Sequence, residues 1–166
     1  VQARKTTRFL RRYRRRPKKV SPAQMNMLKA LYDGGITFAD YFMLVLHAAV
    51  KAGPARPTLM AVTSDHGEAF HEHGYLGHDG HVYEEIMQVP LLFWWPGTIP
   101  AGSHLDRPIQ GADVFPTIAE LAGLPIPENV SGRSHAAALR GEPSTPDPEG
   151  LVLMQSTKRW GIALNT

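Results

Sequence analysis

Apolar side chains recur at helical spacing through residues 22–52: Met25, Leu28, Leu31 and Tyr32, then Ala39, Phe42, Met43, Leu46, Ala49 and Val50. Positions three and four apart share one face of an α-helix, so the pattern predicts a long helix or a helix pair. Ser21-Pro22 starts it, a capping hydroxyl followed by proline at the first helical position. Gly53-Pro54 ends it. Gly34-Gly35 sits mid-way and should weaken or bend the helix, at roughly 1 kcal/mol per glycine relative to alanine. Residues 58–63 then form a short, nearly continuous apolar run, the mark of a strand buried on both faces of a parallel sheet. A second such run spans Val89 to Trp95, and a polar loop rich in glycine and histidine separates the two. A helix is predicted at 114–122, with Val114, Ile118, Leu121 and Ala122 on one face and Gly123 just past its end. Residues 141–150 read as a linker, and strands are predicted at 151–155 and 160–164. The order helix, strand, loop, strand, helix, strand is that of an α/β domain with a mostly parallel sheet flanked by helices.

Composition narrows the function classes. The chain has 166 residues, 43% hydrophobic and 20% charged, which fits one globular domain with a sizeable core. It holds no cysteine, which excludes a disulfide framework, a thiolate zinc site and a cysteine nucleophile. Ten of its 18 Lys and Arg residues fall in 1–20, a segment without any acid. The other 146 residues hold eight basic side chains against 15 acidic ones. The chain therefore divides into a basic tail or linker, 1–20, and an acidic body, 21–166. Such a tail can bind nucleic acid or an anionic surface, but an ordinary solvated basic segment is the favoured reading. Only Phe9 and Tyr13 interleave the charges, too few for a base-stacking platform. No apolar core follows them as in a signal peptide, and no run approaches the ~18 apolar residues of a membrane span. The chain starts at Val1 rather than Met, as a processed or truncated product would.

Chemistry concentrates in the loop after the first predicted strand. His66, His71, His73, His78 and His81 fall within 16 residues, interspersed with Asp65, Glu68, Glu72 and Asp79. A single loop histidine is ordinarily just polar surface, and His71 and His81 fit that description best. The density of imidazole and carboxylate directly after a strand instead supplies ligands for a divalent cation. Long loops at the carboxyl ends of strands are also where α/β sheets place their sites. Gly67 lets the chain turn so that Asp65 and His66 can converge on one ion. Trp94-Trp95 offers a substrate platform, although one of the two belongs to the core.

These residues carry a resemblance. Thr63-Ser64-Asp65-His66-Gly67-Glu68, Glu72-His73-Gly74, Leu76-Gly77-His78, Tyr83-Glu84-Glu85 and Val89-Pro90-Leu91-Leu92 resemble the sulfatase family of the alkaline phosphatase superfamily. Leu31-Tyr32-Asp33-Gly34 upstream, and Asp113-Val114-Phe115-Pro116-Thr117 and Gly132-Arg133-Ser134 downstream, follow the family order, so the likeness covers about 22–141. The resemblance implies part of an alkaline-phosphatase-like three-layer sandwich. It implies hydrolysis of sulfate esters by a formylglycine beside a divalent metal ion, usually Ca2+, with Mn2+ or Mg2+ as alternatives. Asp65 and His66 match metal ligands. His78 stands where the family sets a cation against the sulfate or the leaving oxygen, and His73 is a weaker candidate for the same pocket.

The departures are equally specific. Neither a Cys- nor a Ser-x-Pro-x-Arg motif occurs, and the aspartate pair that completes the family's metal site has no counterpart before Asp65. Gly35 replaces a usual Glu, and His71 a usual small residue. The chain therefore resembles the C-terminal portion of a sulfatase catalytic domain, inactive alone and partnered by the missing N-terminal half. Two other readings stay open. One is a phosphodiesterase, phosphonate monoester hydrolase or phosphoethanolamine transferase of the same superfamily; the other is a non-catalytic protein binding through the basic tail.

Overall fold

The computed structural model describes residues 20–143, 151–155 and 160–164. The expected basic tail and most of the expected linker lie outside the described residues. The chain forms two compact units, one from Val1–Arg56 with Glu68–His78, the other from Pro57–Gly67 with Asp79–Thr166.

The first unit is built on helix α1, Pro22–Ala52, one continuous helix of 31 residues. Ser21 caps it as predicted: its Oγ accepts the Gln24 N–H at 3.3 Å, and Gln24 Oε1 accepts the Ser21 N–H at 3.0 Å. This reciprocal pair satisfies two backbone donors that a helix start otherwise leaves open. Gly34-Gly35 neither splits nor ends the helix, which runs unbroken through both. Over the first turns Leu28 is buried with Leu76, and Val20, Met25 and Phe70 pack around them. The cover comes from a short hairpin, β2 (Ala69–Phe70) against β3 (Leu76–Gly77), which replaces part of the expected plain loop. Phe70 meets the Tyr32 ring edge-on at 5.2 Å and sits beneath the Lys29 ammonium at 5.9 Å. By length and composition alone α1 passes as a membrane span, so the absence of an unbroken apolar run did not dispose of that possibility.

The second unit holds β1 (Met60–Thr63) and β4 (Leu91–Trp94), paired antiparallel from Met60↔Trp94 to Thr63↔Leu91. Among the described residues all three strand pairs are antiparallel, so the expected mostly parallel sheet is not what these strands form. Nor is β1 buried on both faces: its residues alternate between half-buried and exposed. The helical turn α2 (Glu84–Met87) leads into β4. Strands β5 (Leu151–Gln155) and β6 (Trp160–Leu164) form an antiparallel pair at the predicted positions.

The core of this unit gathers Leu121, Ala136 and Leu139, with Leu59, Phe93, Trp95, Ile99 and Leu105 packed against them. Trp95 is thus the tryptophan that joins the core. Helix α3 runs Gly111–Leu121, starting three residues before the predicted 114, and Gly123 follows it at φ 69° in the predicted left-handed position. Its buried side is not the predicted apolar set. Asp113, Pro116, Thr117, Ala119 and Leu121 are buried, whereas Ala122 is exposed. The reason is a polar staple to the segment before α4 (Ala136–Leu139). Asp113 accepts from the N–H groups of Gln110 and Arg133, each at 2.9 Å, and from His135 Nε2 at 3.2 Å. Thr117 Oγ1 donates to the Asp113 carbonyl at 2.6 Å and accepts the His135 N–H at 3.0 Å. Pro116 has no N–H to offer the carbonyl four residues back, that of Ala112. Gly132 packs against that carbonyl so closely that a Cβ would overlap it.

Candidate functional site

Strand β1 ends at Thr63, and the chain turns at once through Ser64-Asp65-His66-Gly67. Ser64 Oγ donates to the His66 carbonyl at 2.9 Å, and the His66 N–H donates to Asp65 Oδ1 at 3.1 Å. Gly67 locks the turn from its far end. Its N–H donates to the Ile86 carbonyl at 2.7 Å, and a Cβ there would overlap the Glu85 carbonyl. Only glycine lets two backbones approach this closely.

The turn leaves two acceptor groups side by side. His66 Nδ1 lies 2.8 Å from the Gly67 carbonyl, which can only accept, so Nδ1 carries the proton in that bond. In the neutral ring Nε2 is then the acceptor. It lies 3.6 Å from Asp65 Oδ2, on a carboxylate that is 87% exposed. A carboxylate oxygen and an imidazole nitrogen presented together suit a divalent cation. The donor set therefore fits the metal that the sequence pattern calls for, with a backbone carbonyl fixing the ligand tautomer.

In the other unit, the hairpin β2–β3 sets a second pair. Ala69 faces Gly77 in the register, so the residues just outside, Glu68 and His78, stand across from one another. His78 Nδ1 lies 2.7 Å from Glu68 Oε2, with both side chains partly exposed. A carboxylate on Nδ1 fixes the tautomer, leaving Nε2 as the acceptor of the neutral ring. Glu68 was one carboxylate among several in the sequence, and its role is visible only once the hairpin register is known. The signal was its symmetric position: one residue before the first strand of a hairpin whose second strand ends one residue before His78.

The other loop histidines part company. His73 lies exposed in the tight turn of the hairpin, where the Gly74 N–H donates to the His71 carbonyl at 3.1 Å. His71 is exposed as expected, yet it occupies φ 84°, a conformation that favours glycine. His81 is not plain surface: it is half-buried and stacked on Tyr83 at 5.2 Å. Trp94 and Trp95 both line a cavity of about 1360 Å³ in the second unit. That cavity reaches Thr63, two residues before Asp65, and also includes Arg107 and His104.

Comparison with known proteins identifies the family. A family model described as Sulfatase matches residues 5–124, taking in most of the basic segment. The chain is 36% identical to steryl-sulfatase of Homo sapiens over 111 residues, 58% of this chain and 19% of that protein. It is 32% identical to N-acetylglucosamine-6-O-sulfatase of Bacteroides thetaiotaomicron over 102 residues, 61% of this chain and 18% of the relative. Among solved structures, a phosphonate monoester hydrolase from Silicibacter pomeroyi superposes with a TM-score of 0.70 at 31% identity, over 79% of this chain and 25% of that one. The chain thus spans about one fifth of the length of the curated relatives it matches.

Proposed function

Because the chain belongs to the sulfatase family, we propose that it forms part of a hydrolase for sulfate esters, with a divalent cation held by Asp65 and His66. The observation that carries this reading is the exposed Asp65 carboxylate beside the acceptor nitrogen of His66 at the end of β1. Calcium is the first candidate for the cation, with manganese and magnesium as alternatives. When bound, such an ion neutralises the ester's oxygens and orients the group under attack. His78 serves the leaving side. Glu68 takes the Nδ1 proton, so Nε2 is the atom left for the ester, and in the imidazolium its proton is the one that would pass to the leaving oxygen or offset charge there. His73 is a weaker candidate for the same task. The cavity lined by Trp94 and Trp95 gives the body of an ester an apolar wall.

The chain supplies no nucleophile, since no Cys and no Ser-x-Pro-x-Arg occurs among its 166 residues. Hard cations such as calcium also take roughly six to eight ligands, more than Asp65 and His66 provide. The nucleophile and the remaining ligands therefore come from sulfatase polypeptide outside this segment. The test is turnover of p-nitrophenyl sulfate with calcium, manganese or magnesium, by the chain alone and co-expressed with an N-terminal sulfatase half. The expected result is no turnover alone and hydrolysis in the pair, lost by at least ~10²-fold on Asp65→Ala. Robust turnover by the chain alone would overturn the reading.

A phosphonate or phosphate ester is the second substrate class, favoured by the superposition on a phosphonate monoester hydrolase. Faster turnover of p-nitrophenyl phenylphosphonate than of the sulfate by the pair would select it.

A further inference from the structure

Helix α1 is too apolar for the cover it has. At ~100° per residue, all its charged residues and its histidine fall in one stripe roughly 40° wide: Lys29, Asp33, Asp40, His47 and Lys51. Asn26 and Thr37 widen the polar side to roughly 80°, and apart from the capping residue Gln24 the remaining arc of roughly 280° is apolar or small. Only Leu28 is buried, under the β2–β3 hairpin. Beyond that point the apolar arc lies bare: Ile36 is 54% exposed, Phe38 67%, Phe42 64% and Leu44 62%. A surface helix normally presents a stripe of about 100° to one core. An arc this wide calls for neighbours beneath and on both flanks, with one narrow line left for water.

Gly34 and Gly35 make the same point independently. Each weakens a helix interior relative to alanine. Both fall within the apolar arc, and a Cβ at either would meet nothing within 4 Å. Nothing in the described residues uses the gap they leave, which suits another backbone approaching closely.

We propose that the apolar arc of α1 from Ile36 to Leu46 is a docking surface for sulfatase-domain polypeptide lying outside this segment. The relatives carry about four fifths of their length outside the region shared with this chain, and layered α/β polypeptide covers a helix from below and from both sides. A lipid bilayer fits less well, because it would bury the charged stripe in hydrocarbon along the whole helix. A second copy of the chain across a two-fold axis would cover one side only. The inference rests on family membership and not on the chemistry assigned to Asp65 and His78.

The chain has no cysteine, so Phe42→Cys and Asp40→Cys each introduce a single thiol, one in the arc and one in the stripe. Each variant is labelled with a maleimide, alone and co-expressed with the sulfatase polypeptide encoded in frame upstream of Val1. Both thiols should react at similar rates in the chain alone. With the added polypeptide the thiol at position 42 should slow at least tenfold, and that at position 40 should not. Any of four results would overturn the proposal: equal labelling in the presence of that polypeptide; no such polypeptide encoded there; protection at 42 in a chain that light scattering shows to be a dimer; or protection at 42 on phosphatidylcholine–phosphatidylglycerol vesicles. The double variant Gly34→Ala/Gly35→Ala gives a second reading. It should raise the melting temperature of the lone chain yet weaken association at least tenfold, and unchanged association would count against the proposal. Protection at 42 without ester hydrolysis sinks the proposed chemistry alone; hydrolysis with a fully reactive thiol at 42 sinks the docking surface alone.

Discussion

Two aspartate–histidine pairs occur in the same unit, and their surroundings differ in every respect. Asp113 and His135 lie 3.2 Å apart with about 4% of each side chain exposed, and backbone donors occupy the rest of the carboxylate. Asp65 and His66 lie 3.6 Å apart, 87% and 40% exposed, and Asp65 accepts from the adjoining His66 N–H. A buried carboxylate is tolerated when donors meet its oxygens, and three already converge on Asp113 inside the fold. Asp65 is the reverse case, a carboxylate held in place mainly by its own backbone and open to whatever approaches. The same two residue types therefore mark a staple in one place and a candidate ligand pair in the other. Burial and donor count tell them apart, not residue identity.

The comparison breaks most readily at Asp113. Asp113→Ala takes the acceptor away from the part-buried N–H groups of Gln110 and Arg133 and from the buried imidazole of His135. Removing one partner of a buried pair typically costs about 3–5 kcal/mol. Hydrogen exchange along α3 should show this loss as faster opening of the helix, and Asp113→Asn should recover a part of it. Unchanged exchange in Asp113→Ala would mean that the staple is not what holds α3.

Gly132→Ala and Gly67→Ala sharpen the contrast at intermediate size. Each Cβ would overlap a carbonyl, that of Ala112 or that of Glu85. Overpacking of this kind costs typically about 1–3 kcal/mol. Urea titration should find both destabilised to a similar degree, because both are backbone-to-backbone contacts. The consequences then separate. Gly67→Ala should also lower ester hydrolysis in the two-part enzyme, since it displaces the turn that carries Asp65, whereas Gly132→Ala should leave turnover per folded molecule intact.

Much of this was legible in local chemistry. The cap at Ser21, the stop at Gly53, the left-handed Gly123 and the final two strands follow from residue types and spacing alone, because neighbours along the chain decide them. The turn after β1 was legible for the same reason: a strand's apolar run ends and polar groups follow without a gap. What the pattern missed depends on distant partners. Nothing near Asp113 announces that Arg133 and His135 will complete its bonds, so the buried face of α3 was read from its apolar residues only. Glu68 opposite His78 likewise needs the register of the hairpin. The run at 58–63 was read as a doubly buried strand because apolar runs look alike whether covered on one face or two, and among the described residues β1 pairs with β4 alone.

The smallest expected effect is on the other side of the comparison. Asp65→Ala removes an acceptor for the His66 N–H at the surface, where water takes over the bond. Surface substitutions of this kind stay within about ±0.5 kcal/mol, so urea unfolding of Asp65→Ala should overlay that of the unaltered chain. The cation readout should behave differently. Any ion that binds only the folded state raises its stability by mass action, so millimolar calcium or manganese should lift the melting temperature of the unaltered chain slightly and that of Asp65→Ala not at all. A stability loss above about 1 kcal/mol in this variant would place Asp65 with Asp113 as a structural group. A cation response that survives the substitution would move the ligand role elsewhere in the loop.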